Sequence, residues 1–288
     1  MKRRIKDILA TLVYWWYVRV LREETVKVHT IDETLDELIH TDKSLVRFGD
    51  GEIIMIQGKN LKLQKASAEI GEGLKRILAY EDENLCVSVQ GIFDGMNLYH
   101  GRSRQFWKDH LLFFRKVYKQ YCNPNRVYCD TAVTRCYYAF ADKSPCQGWF
   151  DKFKKVWNNK KIVVVEGTRS HNGVGNDLFA DAESVERILC PPSDAYGARD
   201  RIIEACKEYD TSYMFLISAG VAAKFITEEL FHAGYRVIDI GNLDMEYEWF
   251  LSGANGKQPV AKHEVVGEEA NRAAGYAEYL AQIKKVIE

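Results

Sequence analysis

Several residue types and patterns are scarce in this 288-residue sequence, and each scarcity excludes a class of protein. The seven cysteines are never spaced as Cys-x-x-Cys, which argues against a disulfide framework and against a zinc site. Only five prolines and no low-complexity tract occur, so nothing marks a long linker. Forty basic residues nearly balance forty-one acidic ones, which leaves no overall field to hold nucleic acid. We therefore expect no nucleic-acid partner.

The first 24 residues differ in character from the rest of the chain. A basic start precedes an apolar run over residues 8–18, which is too short to span a bilayer and lacks a signal-peptide cleavage site. Four aromatic residues at 14–17 and the basic residues near the start are typical of an amphipathic helix in the headgroup layer of a membrane. A helix docked on the protein's own core or on a partner has the same pattern. We expect residues 1–24 to form such a helix in a cytoplasmic protein, either as a peripheral contact with the inner face of the membrane or as a docked helix.

From residue 43 onward, short β-branched runs alternate with longer helical patterns, the order that builds a parallel sheet with crossover helices. We predict an α/β fold: a Rossmann-like, mostly parallel sheet flanked by helices, in a single domain over residues 25–288. The predicted strands are Leu45–Phe48, Leu85–Val89, Arg126–Cys129, Lys161–Val165, Tyr213–Ser218 and Tyr235–Ile240. The predicted helices lie near Ala66–Ala79, Ser103–Tyr121, Gly148–Trp157, Ala195–Tyr209, Val221–Ala233 and Glu268–Ile287. Ligands bind at the carboxyl ends of the strands in such folds, so the residues after each strand are the candidates for function.

The segment GDGE follows the first predicted strand, and Arg47 stands in that strand just before it. Gly49 and Gly51 let the backbone turn sharply and approach a ligand, while Asp50 and Glu52 place two carboxylates on one segment. This arrangement suits a metal ion or the hydroxyl groups of a ligand. A tight turn with solvated acids explains the same four residues.

A long polar segment, residues 166–179, follows the predicted strand Lys161–Val165. Its glycines free the backbone, and its polar side chains can bind a phosphate and a nucleoside. It is neither a Walker A loop nor a dinucleotide fingerprint, and a polar surface loop is the alternative. The candidate phosphate- and nucleoside-binding residues here are Gly167, Arg169, Gly173, Gly175, Asn176 and Asp177.

A turn of small residues, Ser218, Ala219 and Gly220, follows the next predicted strand and opens a helix. Free backbone N–H groups at a helix start, with the helix dipole behind them, can bind a diphosphate. A helix N-terminus capped by Ser218 explains the turn equally well.

The acid-x-acid pair Asp244 and Glu246 follows the last predicted strand. Both side chains face one side if the segment is extended, whereas a helix start with acids near its dipole is the alternative. Carboxylates favour Mg²⁺ or Mn²⁺ over zinc. Such a cation offsets the repulsion between a diphosphate and the carboxylates, on the order of 4 kcal/mol per close pair at an effective dielectric constant of about 20.

Taken in this order, RFGDGE, VVVEG with GVGNDLF, the small-residue turn and VIDIGNLDMEYEW resemble the GT-D-type glycosyltransferases, a family first catalogued as a domain of unknown function in bacterial glycosylation loci. The resemblance runs from about Arg47 to about Phe250. The sequence departs from the family pattern in having Arg169-Ser170-His171-Asn172 ahead of GVGNDLF, Ser218-Ala219-Gly220-Val221 at the small-residue turn, and Asn242 where the family shows histidine.

The resemblance implies a UDP-sugar donor, a divalent Mn²⁺ or Mg²⁺ ion, an Asp-x-Glu motif, and a saccharide acceptor that is a lipid-linked glycan or a glycoprotein. The base and ribose are expected near residues 166–177, and the diphosphate over the small-residue turn. A nucleotidyltransferase of the same architecture and a non-catalytic scaffold in a polysaccharide-assembly complex remain as alternatives. The assigned residues are Asp50 and Glu52 as catalytic carboxylates and Asp244 and Glu246 as metal ligands. The assigned donor contacts are Arg47, Gly49, Arg135, the six candidates named in the polar segment 166–179, and the small-residue turn of Ser218, Ala219 and Gly220.

Overall fold

The computed structural model of the chain describes residues 2–20, 26–263 and 274–288. At its centre lies a nine-stranded sheet in which every strand pairing is parallel. The order across the sheet is β1-β4-β3-β2-β8-β7-β5-β6-β9. The strands are β1 (Lys27–Val28), β2 (Ser44–Arg47), β3 (Leu85–Val89), β4 (Val127–Asp130), β5 (Lys161–Gly167), β6 (Ser184–Cys190), β7 (Met214–Ser218), β8 (Arg236–Asp239) and β9 (Ile283–Val286).

Helices connect the strands and cover the sheet, as parallel pairing requires. Local signals fix several helix starts: Thr30 and Glu33 form a reciprocal capping box at α2, and Ser67 caps α4 through the Ile70 amide. Among the described residues the helices are α1 (Lys2–Val20), α2 (Ile31–His40), α3 (Asp50–Ile56), α4 (Ala68–Ala79), α5 (Gly101–Tyr121), α6 (Cys146–Val156), α7 (Arg199–Cys206), α8 (Ala222–His232), α9 (Leu243–Leu251) and α10 (Tyr276–Gln282).

The predicted α/β architecture is confirmed, and each of the six predicted strands is present with bounds that shift by no more than two residues. The prediction missed β1, β6 and β9. The predicted helix over Glu268–Ile287 is wrong at its end, because the chain turns into β9 and pairs with β6. Residues 268–273 of that prediction lie outside the described residues.

The predicted N-terminal helix is present as α1, while residues 21–24 lie outside the described part of the chain. One face of α1 packs on α5, where Ala10 is fully buried and Lys6 pairs with Asp109 at 2.7 Å. In the described ranges no helix is long and apolar enough to cross a bilayer.

The strand order reverses direction at the neighbouring pair β2 and β8. From β2 the sheet continues through β3 and β4, and from β8 it continues the other way through β7 and β5. In open parallel sheets such a switch point leaves a crevice at the carboxyl ends of the strands. The candidate residues named from the sequence follow these strands, so they lie at this crevice.

Candidate active site

A cleft of about 680 Å³ opens at the carboxyl ends of β2, β5, β7 and β8. Residues from all four strand ends line it, so side chains that are far apart in sequence meet there. Ten of the residues predicted to form the site line this cleft: Arg47, Gly49, Asp50, Glu52, Arg135, Gly167, Ser218, Ala219, Gly220 and Glu246.

The GDGE segment is the start of a helix and not a loop. Gly49 adopts an extended conformation at the N-cap, and α3 begins at Asp50. Glu52 reaches back over the first turn, where its Oε2 accepts the Gly49 amide at 2.8 Å. This contact satisfies one of the amides that a helix start leaves free. It also gives the two carboxylates different surroundings.

A buried lysine holds Glu52. The Lys224 Nζ on α8 lies 3.0 Å from Glu52 Oε1 and 3.0 Å from Asp239 Oδ2, and all three side chains are buried. Burial by itself would raise the pKa of Glu52, but the charge and hydrogen bond of Lys224 lower it below its usual value. Glu52 is therefore an ionised carboxylate with a fixed position.

Asp50 is the open carboxylate of the cleft. Its side chain makes no ion pair and no hydrogen bond to any other residue in the part of the chain that the structure describes. Burial, followed by the charge of Glu52, raises the pKa of Asp50, while Arg135 and Lys257 act against that rise. A carboxyl group with a raised pKa in a cleft is typical of a general base or acid.

Arg47 ends β2 inside the cleft, largely buried. Its Nη1 lies 3.8 Å from Asp239 Oδ1, and its buried Nε has no hydrogen-bond partner among the described residues. Gly241 makes room for this guanidinium: its φ is +48°, and a Cβ there would lie 2.0 Å from Arg47 Nη1. The turn after β8 thus sets the position of the cleft arginine.

The small-residue turn joins two strand ends at the cleft. Ser218 Oγ donates to the Gly241 carbonyl at 2.8 Å and so bridges β7 and β8. The N-cap of α8 is Val221, and no side chain of the described residues caps that helix. Capping by Ser218 is therefore wrong, and the Val221 and Ala222 amides at the start of α8 have no hydrogen-bond partner in the described part of the chain.

Asp244 lies behind the cleft and is fully buried. Its Oδ1 accepts hydrogen bonds from the Gly173 amide, Asn176 Nδ2 and Lys262 Nζ, each at 2.8 Å. Its Oδ2 faces His263 Nε2 at 2.8 Å. Burial would raise the pKa of Asp244, but the hydrogen bond from His263 and the charge of Lys262 lower it. These four hydrogen-bonding groups connect the loops that carry them to α9.

Glu246 points into the cleft, away from Asp244, because both residues belong to the first turns of α9 and side chains two apart on a helix diverge. Its Oε2 accepts the Tyr137 and Tyr138 amides at 3.1 and 2.7 Å, and its Oε1 lies 3.9 Å from Arg135. Burial raises the pKa of Glu246. The acid-x-acid pair is thus on a helix, and the structure does not bring its two carboxylates together.

The GVGND segment braces the back of the site. Gly173 has φ +75°, and a Cβ there would lie 2.4 Å from Phe179, so only glycine fits. Asn176 Nδ2 also donates to Glu248 at 2.6 Å, and Asp177 accepts from Lys154 Nζ at 2.6 Å. Gly175 has φ +74° in the same turn, and Arg169 is exposed between Gly167 and Ser170, which both line the cleft.

The side chains that line the cleft carry a net positive charge, which suits a nucleoside diphosphate. Six Lys and Arg side chains line it against four Asp and Glu side chains, a net formal charge of +2. Arg135 and Lys257 lie on the side of Asp50 and Glu246. Phosphate oxygens bind such groups strongly when water is partly excluded.

Sequence reasoning missed Lys224 and Asp239. Asp239 carried a signal: an acid within the apolar run VIDI must be buried in a strand, where it needs a partner. Lys224 carried a weaker one, since it lies within the apolar start of α8, AAKFI.

A second group of potential ligands lies outside the cleft, where Glu37, Cys86 and Cys129 gather within 4.8 Å. Lys43 Nζ already pairs with Glu37 at 2.6 Å, and the Cys129 thiol donates to the same carboxylate at 3.5 Å. The cluster is therefore satisfied by protein groups.

Two curated proteins resemble most of this chain in sequence. It is 38% identical over 236 residues to the probable glycosyl transferase Gly of Streptococcus gordonii, which covers 82% of this chain and 34% of that protein. It is 37% identical over 235 residues to the glycosyltransferase GlyD of Streptococcus pneumoniae serotype 4, which covers 81% of this chain and 29% of that protein. The chain spans about a third of the length of these curated relatives.

Solved structures agree over nearly the whole chain. One, described as a highly conserved domain of unknown function 1792 with a distinct glycosyltransferase fold, has a TM-score of 0.85 at 32% identity and covers 93% of this chain and 98% of its own. Another, described as a new glycosyltransferase from Streptococcus sanguinis, has a TM-score of 0.85 at 34% identity and covers 92% of this chain and all of its own.

The family profile described as the glycosyltransferase GT-D fold matches residues 45–268. The match contains GDGE, the GVGND brace, the small-residue turn and the acidic pair of α9. Sequence, fold and cleft lead to one assignment. The chain belongs to the GT-D-fold glycosyltransferase family.

Proposed function

We propose that this chain transfers a hexose from a UDP-sugar to the hydroxyl of a saccharide acceptor in the cleft at the switch point. The observation that supports this best is the Asp50 carboxylate, which faces the cleft with no hydrogen-bond or ion-pair partner among the described residues, while Lys224 holds Glu52 beside it. Asp50 is available to accept a proton, whereas the ion pair with Lys224 fixes Glu52 in place. This arrangement suits a reaction in which one carboxylate accepts one proton.

The donor fits across the strand ends. The uncapped start of α8 offers backbone amides to the diphosphate, and Arg47 and Arg135 add guanidinium groups on the same cleft. The nucleoside extends toward Gly167 and Ser170, which line the adjoining wall. The rest of the predicted nucleotide loop acts through Asp244 and α9, as a brace that sets the position of this wall.

Asp50 would serve as the base. The acceptor oxygen forms a bond to the anomeric carbon, the bond from that carbon to the diphosphate oxygen breaks, and UDP leaves with the electron pair. The acceptor hydroxyl proton moves to Asp50. The raised pKa of Asp50 makes its carboxylate a better proton acceptor than an ordinary aspartate.

The family resemblance implies a divalent cation, and the two predicted ligands differ in how well they fit one. Asp244 does not fit, because four protein donors, among them Lys262, already occupy its oxygens. Glu246 fits, because it lines the cleft, burial raises its pKa, and within the described residues the ion-pair partner of its Oε1 is Arg135, at 3.9 Å. Mg²⁺ and Mn²⁺ commonly bind one or two carboxylates together with substrate phosphates, and the ion would neutralise charge on the departing UDP.

We propose that the enzyme works on the cytoplasmic side, in bacterial polysaccharide or protein glycosylation. Among the two acceptor classes implied by the family, we favour a lipid-linked saccharide, with peripheral membrane contact through α1. The exposed apolar face of α1 beside the cleft end of α5 supports this choice.

Product analysis with the purified chain tests the class of chemistry. The chain is incubated with a panel of UDP-hexoses and Mn²⁺ or Mg²⁺, and then with EDTA. We expect release of UDP from one donor and its loss on chelation. Pyrophosphate as product would instead assign a nucleotidyltransferase, and the absence of both turnover and UDP binding would assign a scaffold.

A further inference from the structure

The helix α1 is attached to the protein by its small and polar side. Ala10 is fully buried against α5, Lys6 Nζ pairs with Asp109 at 2.7 Å, and Lys108 lies over the Tyr14 ring at 5.8 Å. These contacts span two turns of α1. They fix its rotation about its own axis.

With that rotation, the apolar side of α1 faces outward. The side chains that form it follow the spacing i, i+3, i+4, i+7, i+10 and i+11, which places them on one face of a helix. A surface helix normally buries such a stripe, and here the orientation is reversed. The stripe and its exposed fractions are Ile5 52%, Ile8 60%, Leu9 50%, Leu12 60%, Trp15 59% and Trp16 46%.

The neighbouring helix α5 extends the same apolar surface. Phe106 and Phe113 are 48% and 54% exposed and lie seven residues apart, on one face of α5. Lys6 of α1 lies over the Phe113 ring at 5.5 Å, so the two helices contribute adjoining parts of one surface. Contiguous exposed apolar surface of this kind marks an interaction site.

Charge is segregated onto the same two helices. Together α1 and α5 contain eleven Lys and Arg against two Asp, a formal charge of +9 in a chain whose total is −1. Apolar and aromatic side chains flanked by cations are what an anionic lipid surface binds. A second copy of the chain fits poorly, because a two-fold contact would bring two such positive surfaces together.

We propose that α1 and α5 form a docking surface for an anionic lipid bilayer, on which the protein lies peripherally. In the described residues no helix can cross the bilayer, so the stripe enters only the headgroup and upper acyl layer. Trp15 and Trp16 lie at the interface, where amphipathic rings are favoured.

The docking surface adjoins the cleft. The first turns of α5 supply Arg102, Ser103, Phe106 and Trp107 to the cleft wall, and Phe106 belongs to both surfaces. Binding to the bilayer therefore holds the mouth of the cleft at the headgroup layer. Resting on the proposed function, this geometry identifies the acceptor as a saccharide whose lipid anchor stays in the membrane.

Vesicle sedimentation with the full chain tests the surface. Wild type is mixed with vesicles of phosphatidylcholine and phosphatidylglycerol, and in parallel with vesicles of phosphatidylcholine alone. We expect binding to the first and little to the second. Lys116→Glu, an exposed change on α5, should weaken binding at least about fivefold, since each cation near an anionic surface contributes about that factor.

The double variant Ile8→Glu and Leu12→Glu should lose binding, while Leu280→Glu, an equally exposed change on α10, should bind like wild type. Circular dichroism checks that each variant stays folded. Equal binding of the stripe variant and wild type would overturn the proposal. Equal binding of wild type to vesicles with and without phosphatidylglycerol would also overturn it. So would concentration-dependent self-association abolished by the stripe change, which would mean a second copy covers it.

The assay separates this inference from the proposed function, because it contains no sugar. Release of UDP from a soluble donor is measured on the same preparations. Intact UDP release without vesicle binding rejects the docking surface alone. Vesicle binding without UDP release rejects the transferase and leaves the surface standing.

Discussion

Lys224 Nζ lies 3.0 Å from Glu52 Oε1, so a residue of α8 holds a carboxylate in the first turn of α3. The same ammonium lies 3.0 Å from Asp239 at the end of β8. Three elements that meet at the strand-order switch are thus joined by one buried cation. The arrangement leaves Asp50 as the carboxylate available to a substrate.

Replacing Lys224 by Met should destabilise the protein by about 3–5 kcal/mol, because two buried carboxylates lose their common cation. Urea unfolding measures the loss. Lys155→Met, an exposed change on α6, is the matched control. Adding Glu52→Gln to the Lys224 variant should restore part of the stability, and equal losses in the single and double variants would refute the pairing.

The variant Asp244→Asn should be less stable by about 3 kcal/mol at neutral pH, since Lys262 would lose a buried counter-charge. The folded state lowers the pKa of Asp244 below its unfolded value, so its contribution is present above the unfolded pKa and disappears as pH falls through the folded pKa. The gap between variant and wild type should therefore close in acid. Unfolding curves from neutral pH downward test this, with the exposed change Asp181→Asn as control, and a constant gap would contradict it.

Gly241→Ala should raise the KM for the donor and cost at least about 1–3 kcal/mol of stability, because a left-handed backbone would carry a side chain. The added Cβ would also displace Arg47 from the cleft. Gly148→Ala on α6, where a Cβ meets nothing within 4 Å, should be neutral or slightly stabilising. Matching kinetics for the two variants would show that Gly241 does not position Arg47.

The sheet and its ligand-binding edge could be predicted because buried parallel strands are nearly continuous apolar runs. Strand β3 is buried along its whole length, and its predicted bounds are those observed. Strand β9, with the sequence IKKV, alternates in burial at the sheet edge and could not be told from a helix end.

The site was only partly predictable, because local pattern does not specify partners. The spacing of Asp244 and Glu246 suits an extended pair, yet α9 begins at Leu243 and directs one carboxylate into the brace and the other into the cleft. The polar residues of GVGND indicated many hydrogen bonds, but their partner lies about seventy residues later in the chain. Lys224 shows the same limit, since nothing local says which carboxylates it meets.

The pH dependence of kcat/KM should have an acidic limb above the ordinary aspartate pKa of about 3.9. Burial and the charge of Glu52 raise the pKa of Asp50, so the base becomes ionised, and the rate rises, only as pH passes that raised value. Asp50→Asn should remove this limb from any residual activity. An unchanged limb in the variant would assign it to another group.

Stability should respond to Asp50 in the opposite direction to activity. A folded pKa above the unfolded one gives a contribution that is complete below the unfolded pKa and is lost as pH rises through the folded value. At neutral pH the ionised Asp50 is thus a cost, and Asp50→Asn should melt at or above the wild-type temperature. A marked fall in melting temperature would mean that Asp50 has a structural role.

The central claim is that the open carboxylate at the start of α3 carries out glycosyl transfer, and UDP release by Asp50→Asn tests it most directly. With the preferred UDP-hexose and saturating metal, the variant should turn over about 10²–10⁴-fold more slowly than wild type. Asp181→Asn, an exposed change outside the cleft, should match wild type. Wild-type turnover by a folded Asp50→Asn protein would contradict the account.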